Sequence, residues 1–236
     1  MCGIAGWIAS RRLDVASSMN KVLGSIAHRG PDGAGVFTDV TQPGDWQIAL
    51  GHRRLAIIDV ANAKQPMQDT AAGLTVVFNG EIYNFRELRQ QLVELGCEFR
   101  LDSDTEVLLK GYRVWGTAIV ERLRGMFAFA IWDHRNRELF LARDRFGKKP
   151  LFVHHSNGDI FFASEIKALL QIPGIASDPD NDAIRLYLIY RYVPSPRRCF
   201  ARSRSFRRAI GCSGRTARLL NMNTSVRKID VKSTSA

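Results

Sequence analysis

The chain reads as an α+β protein built from two antiparallel sheets faced by helices. Two observations carry that reading. Strand-like runs come in groups, and amphipathic helical stretches fall between the groups instead of after every strand, as antiparallel sheets require and a βαβ repeat does not. The 236 residues, 45% hydrophobic and 24% charged, also show no internal repeat and no long linker before residue 193. At this length the chain can hold one large domain or two small ones, and its composition is that of an ordinary globular protein.

The elements follow in order. Ile4 to Ile8 is a strand, and Val15, Met19, Val22, Leu23 and Ile26 recur at helical spacing, so a helix is expected over 14–27. Strand signals follow at 34–38, 47–58 and 74–78. The stretch 85–95 is helical with Leu88, Leu92 and Leu95 on one face, and a further helix spans 104–115 with Val107, Leu108 and Tyr112. Four strand-like runs come next, at 125–132, 138–142, 151–154 and 160–163, with Gly158 and Asp159 marking a hairpin turn. Short helices are expected from Glu165 to Leu170 and over 181–190.

Residues 197–236 differ in kind. They hold eleven Lys and Arg against one acid, Asp230, so the tail carries +10 of the net +11, and the preceding 196 residues are nearly neutral. Arg, Ser and Thr dominate without helical or strand periodicity. Such a segment buries too little apolar surface to offset its ordering entropy, and disorder is expected there.

Several classes are excluded. No apolar run approaches a membrane span, and no basic segment precedes the apolar first residues as a secretory signal requires. Gly3 is in the wrong register for myristoylation. Cys2, Cys97, Cys199 and Cys212 contain no Cys-x-x-Cys pair, which argues against a disulfide framework or a metal site and for a reducing cytoplasm.

Chemistry is concentrated in short segments. Cys2 stands directly behind Met1, so trimming of Met1 would place a thiol and a free α-amine on one residue. The thiol is a nucleophile, and an α-amine titrates near neutrality and can take its proton. His28-Arg29-Gly30-Pro31-Asp32-Gly33 is a turn-rich loop. In Gly51-His52-Arg53-Arg54-Leu55 a guanidinium could grip a carboxylate through two parallel hydrogen bonds. In Asn79-Gly80-Glu81-Ile82-Tyr83-Asn84 the Asn amide and the Gly N–H could donate to a developing oxyanion, although Asn-Gly alone reads as a turn. Ser103-Asp104-Thr105-Glu106 opens a helix, with Ser103 as its cap and Asp104 left available for a substrate ammonium. Arg143 to Leu151 is a basic loop, either solvated or bearing on a partner domain.

The order and spacing of these segments, together with Gly125-Met-Phe-Ala-Phe-Ala and Phe162-Ala-Ser-Glu-Ile-Lys-Ala-Leu, closely resemble the glutaminase domain of class II glutamine amidotransferases. The wording Asn79-Gly-Glu-Ile-Tyr-Asn favours the asparagine synthetase branch over relatives that make glucosamine phosphate or phosphoribosylamine. The resemblance covers residues 2–196. It implies a four-layer α/β/β/α sandwich of the N-terminal-nucleophile hydrolase type. It also implies that Met1 is removed and that the Cys2 thiolate attacks the side-chain amide of L-glutamine, with its own α-amine moving the proton. Asn79 and Gly80 would stabilise the oxyanion, Arg54 would hold the α-carboxylate, and Asp104 with Glu81 would receive the α-ammonium. No cofactor or metal is implied for this reaction. ATP and Mg belong to the synthetase domain of the family, whose Ser-Gly-Gly-x-Asp-Ser loop has no match after residue 196. The nearest wording, Gly211-Cys212-Ser213-Gly214-Arg215, lacks the second Gly and the Asp.

The expected function is thus the ammonia-supplying half of an asparagine synthetase-like enzyme, with a separate synthetase-domain chain as a possible partner, and residues 198–236 read as translated out of frame. The alternative is an inactive fragment, or a protein that binds nucleic acid or another anion through its basic tail. Such binding weakens steeply with salt. The neutral body argues against nucleic acid, and no membrane partner is expected.

Overall fold

The computed structural model describes residues 1–39, 46–56 and 63–193, and beyond them the backbone of four short strands. The first sheet is antiparallel, in the order β8 (Phe152–Ser156), β9 (Asp159–Ala163), β1 (Gly3–Ala9), β3 (Gln47–Arg54), β2 (Gly33–Asp39). The second, also antiparallel, runs β7 (Glu138–Arg143), β6 (Gly125–Asp133), β5 (Leu74–Ile82), β4 (Met67–Asp69). Helices α1 (Val15–Ser25) and α5 (Ile166–Leu169) cover the outer face of the first sheet. Helices α2 (Phe85–Glu94), α3 (Asp104–Trp115) and α4 (Ile119–Arg122) cover the second, and α6 (Asn181–Tyr190) follows.

Three apolar layers fix this stacking. Between the sheets, Ile4 and Ile8 of β1, Ile48 and Leu50 of β3, Val77 of β5 and Ala128, Ala130 and Trp132 of β6 interdigitate. Their neighbours in sequence point the other way, because side chains alternate along a strand. Ala5, Trp7 and Ala49 meet Met19, Val22 and Leu23 of α1, while Val76, Phe78, Phe127 and Phe129 meet Leu88, Leu92 and Leu108 of α2 and α3. Strands with both faces covered are apolar throughout, as β1 is. Each large side chain buried in this way contributes roughly 1.5–3 kcal/mol. The α/β/β/α order is the expected one.

Helix limits follow local chemistry. Asp14 caps α1 by accepting from Ser17 N at 3.1 Å, and Ser103 caps α3 by accepting from Thr105 N at 3.1 Å. Gly116, at φ 57°, ends α3 in a conformation that penalises a Cβ.

Several boundaries differ from the sequence reading. The strand expected over 74–78 continues to Ile82, so Asn79 and Gly80 lie inside it; pairing of Asn79 with Ala128 and Gly80 with Phe127 overrides the turn preference of Asn-Gly. The strand expected over 47–58 ends at Arg54, and 57–58 lie outside the described residues. Leu95 does not join Leu88 and Leu92, since α2 stops at Glu94 and Gly96 turns the chain at φ 83°, leaving Leu95 exposed. The hairpin turn is Asn157-Gly158, both at positive φ, with Asp159 already paired to Ser156. The short β4 and α4 carry too few residues to show a period.

Within the tail expected to lack regular structure, β10 (Ser203–Ser205) pairs with β8, and β11 (Ala209–Ser213) pairs with β7. Strands β12 (Thr216–Leu220) and β13 (Arg227–Ile229) extend the second sheet. An edge strand offers unpaired donors and acceptors to any extended segment, which compensates for weak patterning. The rest of the tail lies outside the described residues.

Candidate active site

The alternation that builds the inter-sheet layer also builds the site. On β3 the inward row runs Ile48, Leu50, His52, Arg54; on β1 it runs Ile8, Ile4 and then Cys2; on β5 it continues from Val77 to Asn79 and Glu81. The apolar members fill the sandwich. The polar members arrive together where the sheets end.

There Cys2, Arg54, Asn79, Gly80, Glu81 and Asp104 line one cavity of about 90 Å³, with Met1, Gln65, Met126 and Lys149 among the remaining walls. All six residues singled out in the sequence are therefore brought together, from positions spread over a hundred residues. A larger cleft of about 460 Å³ beside Asp69, Lys110 and Arg113 is lined by no cysteine, and Lys110 is paired with Asp69 at 2.8 Å.

The Cys2 sulfur is held by Leu55, whose N–H donates to Sγ at 3.3 Å and whose carbonyl accepts from the thiol at 3.5 Å. The turn-rich loop is a brace for this contact, not a plain connector. Asp32 N donates to Arg54 O at 3.0 Å, and Asp32 Oδ2 accepts from Ala56 N at 2.8 Å, fixing the residues on both sides of Leu55. Arg29 Nε donates to the Cys2 carbonyl at 3.0 Å, and its Nη1 donates to Glu165 at 2.9 Å. With Met1 attached, the Cys2 nitrogen is an amide.

Asn79 is 1% exposed, and its Nδ2 is buried with no hydrogen-bond partner among the described residues. A buried unpaired donor costs about 1–3 kcal/mol, so it marks a place where an acceptor belongs. Gly80 sits where a Cβ would lie 2.4 Å from Met126 O and 2.8 Å from Phe127 Cα, so only glycine fits between β5 and β6.

The edge of β5 that faces away from β6 explains how Gly80 is presented. Strand β4 covers this edge only as far as Val76, opposite Met67. Beyond it, Phe78 N donates to Gln65 Oε1 at 2.7 Å and Ile82 N donates to Asp104 Oδ2 at 3.2 Å. Backbone groups alternate along a strand, so the Gly80 N–H between them points to the same edge, toward the cavity it lines.

Asp104, 4% exposed, is the first residue of α3. Burial raises its carboxyl from 3.8 to about 6; hydrogen bonds from the Ile82 and Thr105 N–H groups oppose the rise and the nearby Glu81 charge adds to it. Near neutral pH it is an anion in a poorly solvated place. An ammonium is the group that such a site attracts.

Some site residues carry no sequence signal. Gln65 precedes a strand too short to read, and His52 sits unremarked beside two arginines. Lys149 belongs to the basic loop read as solvated or partner-facing; the loop folds around buried Asp144, which accepts N–H donations from Phe127, Phe146, Lys148 and Lys149 at 2.9–3.3 Å. Phe146 at its tip is 84% exposed. Among the described residues no helix is long and apolar enough to cross a membrane.

Comparison with known proteins bears directly on this geometry. The profile of the glutamine amidotransferase domain matches residues 1–218. A putative glutamine-hydrolysing asparagine synthetase of Mycobacterium bovis is 40% identical over 231 residues, covering 87% of this chain and 35% of the relative. Glutamine-hydrolysing asparagine synthetase 3 of Bacillus subtilis is 39% identical over 188 residues, covering 78% and 30% respectively. The chain thus spans about a third of the length of the curated relatives it matches. Among solved structures, the glutamine phosphoribosylpyrophosphate amidotransferase of B. subtilis, complexed with ADP and GMP, superposes with a TM-score of 0.61 at 20% identity. It covers 98% of this chain and 49% of its own, and shows the shared fold.

Proposed function

The chain belongs to the glutamine amidotransferase domain family, and on that premise we propose that it hydrolyses L-glutamine to glutamate and ammonia through Cys2. The observation that carries this reading is the convergence of Cys2, Arg54, Asn79, Gly80, Glu81 and Asp104 on one cavity.

The proposed sequence of steps balances without an outside reactant other than water. Removal of Met1 frees the Cys2 α-amine, which takes the thiol proton. The thiolate attacks the amide carbon of glutamine, and the oxygen of the tetrahedral intermediate accepts from Asn79 Nδ2 and the Gly80 N–H. The α-ammonium returns its proton to the amide nitrogen, the C–N bond breaks, and ammonia leaves a thioester on Cys2. Water, deprotonated by the same amine, then cleaves the thioester, and the thiol is restored as glutamate departs.

Recognition of the free amino acid falls to opposite charges. Arg54 meets the α-carboxylate with aligned donors, and Asp104 with Glu81 meets the α-ammonium. A site that pairs both ends rejects glutamine within a peptide, because its buried charges would be left alone. Supply of the ammonia to an asparagine-forming synthetase domain, in the same or another polypeptide, completes the reading; the names of the relatives support it. ATP and Mg enter only in that second reaction.

The test is glutamate release by the purified protein, with intact mass reporting loss of Met1. Wild type should release glutamate and Cys2→Ala should not. Equal release by both would remove Cys2 from the reaction.

A further inference from the structure

His52 is the one polar residue in the inward row of β3 that does not reach the cavity wall. It is fully buried, with Ile4 and Gly35 opposite it on the two neighbouring strands. Its Nε2 lies 3.1 Å from the carbonyl oxygen of Phe78, across the gap between the sheets. A carbonyl only accepts, so Nε2 carries the proton. Burial holds the ring pKa down at about 4, so the imidazole is neutral near pH 7 and Nδ1 is left as a buried atom without a partner among the described residues. An apolar residue would fill this layer without the unpaired Nδ1, but it would leave the Phe78 carbonyl without this donor. The polar choice therefore asks for a reason beyond packing.

Phe78 supplies one. Its carbonyl is joined to the nitrogen of Asn79, and its own N–H is taken by Gln65 Oε1 at 2.7 Å. Both backbone groups of Phe78 on the open edge of β5 are thus held by side chains, just past the point where β4 stops providing strand pairing. The next residues are the two oxyanion donors. Loosening Phe78 would let the Asn79 side chain and the Gly80 N–H drift relative to Cys2 on the opposite sheet. His52 is built on β3, two residues from Arg54, so it ties the donor strand to the sheet that bears the nucleophile.

We infer that His52 and Gln65 are positioning residues for the oxyanion site, clamping Phe78 so that Asn79 and Gly80 are held at a fixed distance from Cys2. The inference rests on the hydrolase reading above and goes further, because it assigns a catalytic consequence to His52, which does not line the cavity, and to the contact of Gln65 with the Phe78 backbone.

Steady-state glutamate release by His52→Leu, His52→Gln and Gln65→Leu tests it, alongside Asn79→Ala and the double variant Asn79→Ala/His52→Leu. Misplacing the donors should lower kcat about ten- to a hundredfold in His52→Leu while KM for glutamine moves less than about twofold. His52→Gln keeps a neutral donor and should recover most of kcat. In the Asn79→Ala background His52→Leu should cost much less than alone, since residues acting through one another are not additive. Gln65→Leu should behave as His52→Leu does, and it decides the matter if His52→Leu does not fold. Unchanged kcat in a folded His52→Leu or Gln65→Leu, equal losses in the Leu and Gln variants, or full additivity with Asn79→Ala would overturn the inference while leaving the role of Cys2 intact. A wild type that releases no glutamate would overturn both.

Discussion

Leu55 grips the Cys2 sulfur with both of its backbone groups, donating to Sγ at 3.3 Å and accepting from it at 3.5 Å, although the two residues are 53 positions apart. The sulfur is therefore fixed to the end of β3, one residue from Arg54. In the proposed reaction the nucleophile and the carboxylate clamp would share this one support, which would set the distance between the reacting and charged ends of glutamine.

Asn79 is proposed to contribute only where negative charge develops. Asn79→Ala should lower kcat about 10²–10³-fold with little change in KM, the usual effect of deleting one oxyanion donor. Its buried Nδ2 has no partner to lose among the described residues, so the fold should persist. Steady-state kinetics with a thermal melt checks both halves; an unchanged kcat would remove Asn79 from the oxyanion site.

Arg54 should act in the opposite way. Its guanidinium is proposed to hold a carboxylate that does not change during the reaction, so it binds ground and transition states alike. Arg54→Lys loses the two-pronged geometry and should raise KM about tenfold or more with kcat largely kept. A fall in kcat at constant KM would assign Arg54 to the reacting centre instead.

Asp104 predicts two pH dependences of opposite sense. Its folded carboxyl titrates at about 6 against the ordinary 3.8, so the folded state holds the proton more tightly. Its contribution to stability is therefore greatest below about pH 4 and is lost as pH rises to about 6. Activity runs the other way, because only the anion attracts the substrate ammonium; kcat/KM should fall as pH drops through about 6. Asp104→Asn should flatten the stability change between pH 4 and 6 and raise KM at neutral pH. Denaturant unfolding across that range would contradict the account if the variant and the wild type showed the same slope.

Gly80 is required by packing, apart from its proposed part in the chemistry. A Cβ there would press on Met126 O and on Phe127 Cα, both backbone atoms that cannot swing aside. Gly80→Ala should destabilise the protein by about 1–3 kcal/mol or more, as overpacking does. Denaturant midpoints would show this, and an unshifted midpoint would mean that β5 and β6 separate easily.

Most of the architecture was legible because its layers are periodic. Helix α3 and helix α6 occupy the spans that their apolar spacing announces, and Ile4, Ile8, Ile48 and Leu50 face one another as alternation requires. What escaped were features decided by tertiary partners. Asn79-Gly80 has the composition of a turn and becomes strand only because β6 pairs with it. Gln65 and His52 meet at the backbone of Phe78, a contact that no local pattern encodes. Asp144 reads as one acid in a basic loop, yet it gathers four backbone N–H groups and turns that loop into a rigid wall. The six cavity residues were found through the order of their motifs, since none of the segments signals chemistry strongly when taken alone.

The most direct measurement is to incubate the protein with a glutamine analogue carrying an electrophilic diazoketone in place of the amide, and to map the adduct by peptide mass. The account expects one equivalent of label, confined to the sulfur of a Cys2 that has lost Met1, with free glutamine protecting against it. Label on Cys97 instead, or an unlabelled chain that still releases glutamate, would contradict it.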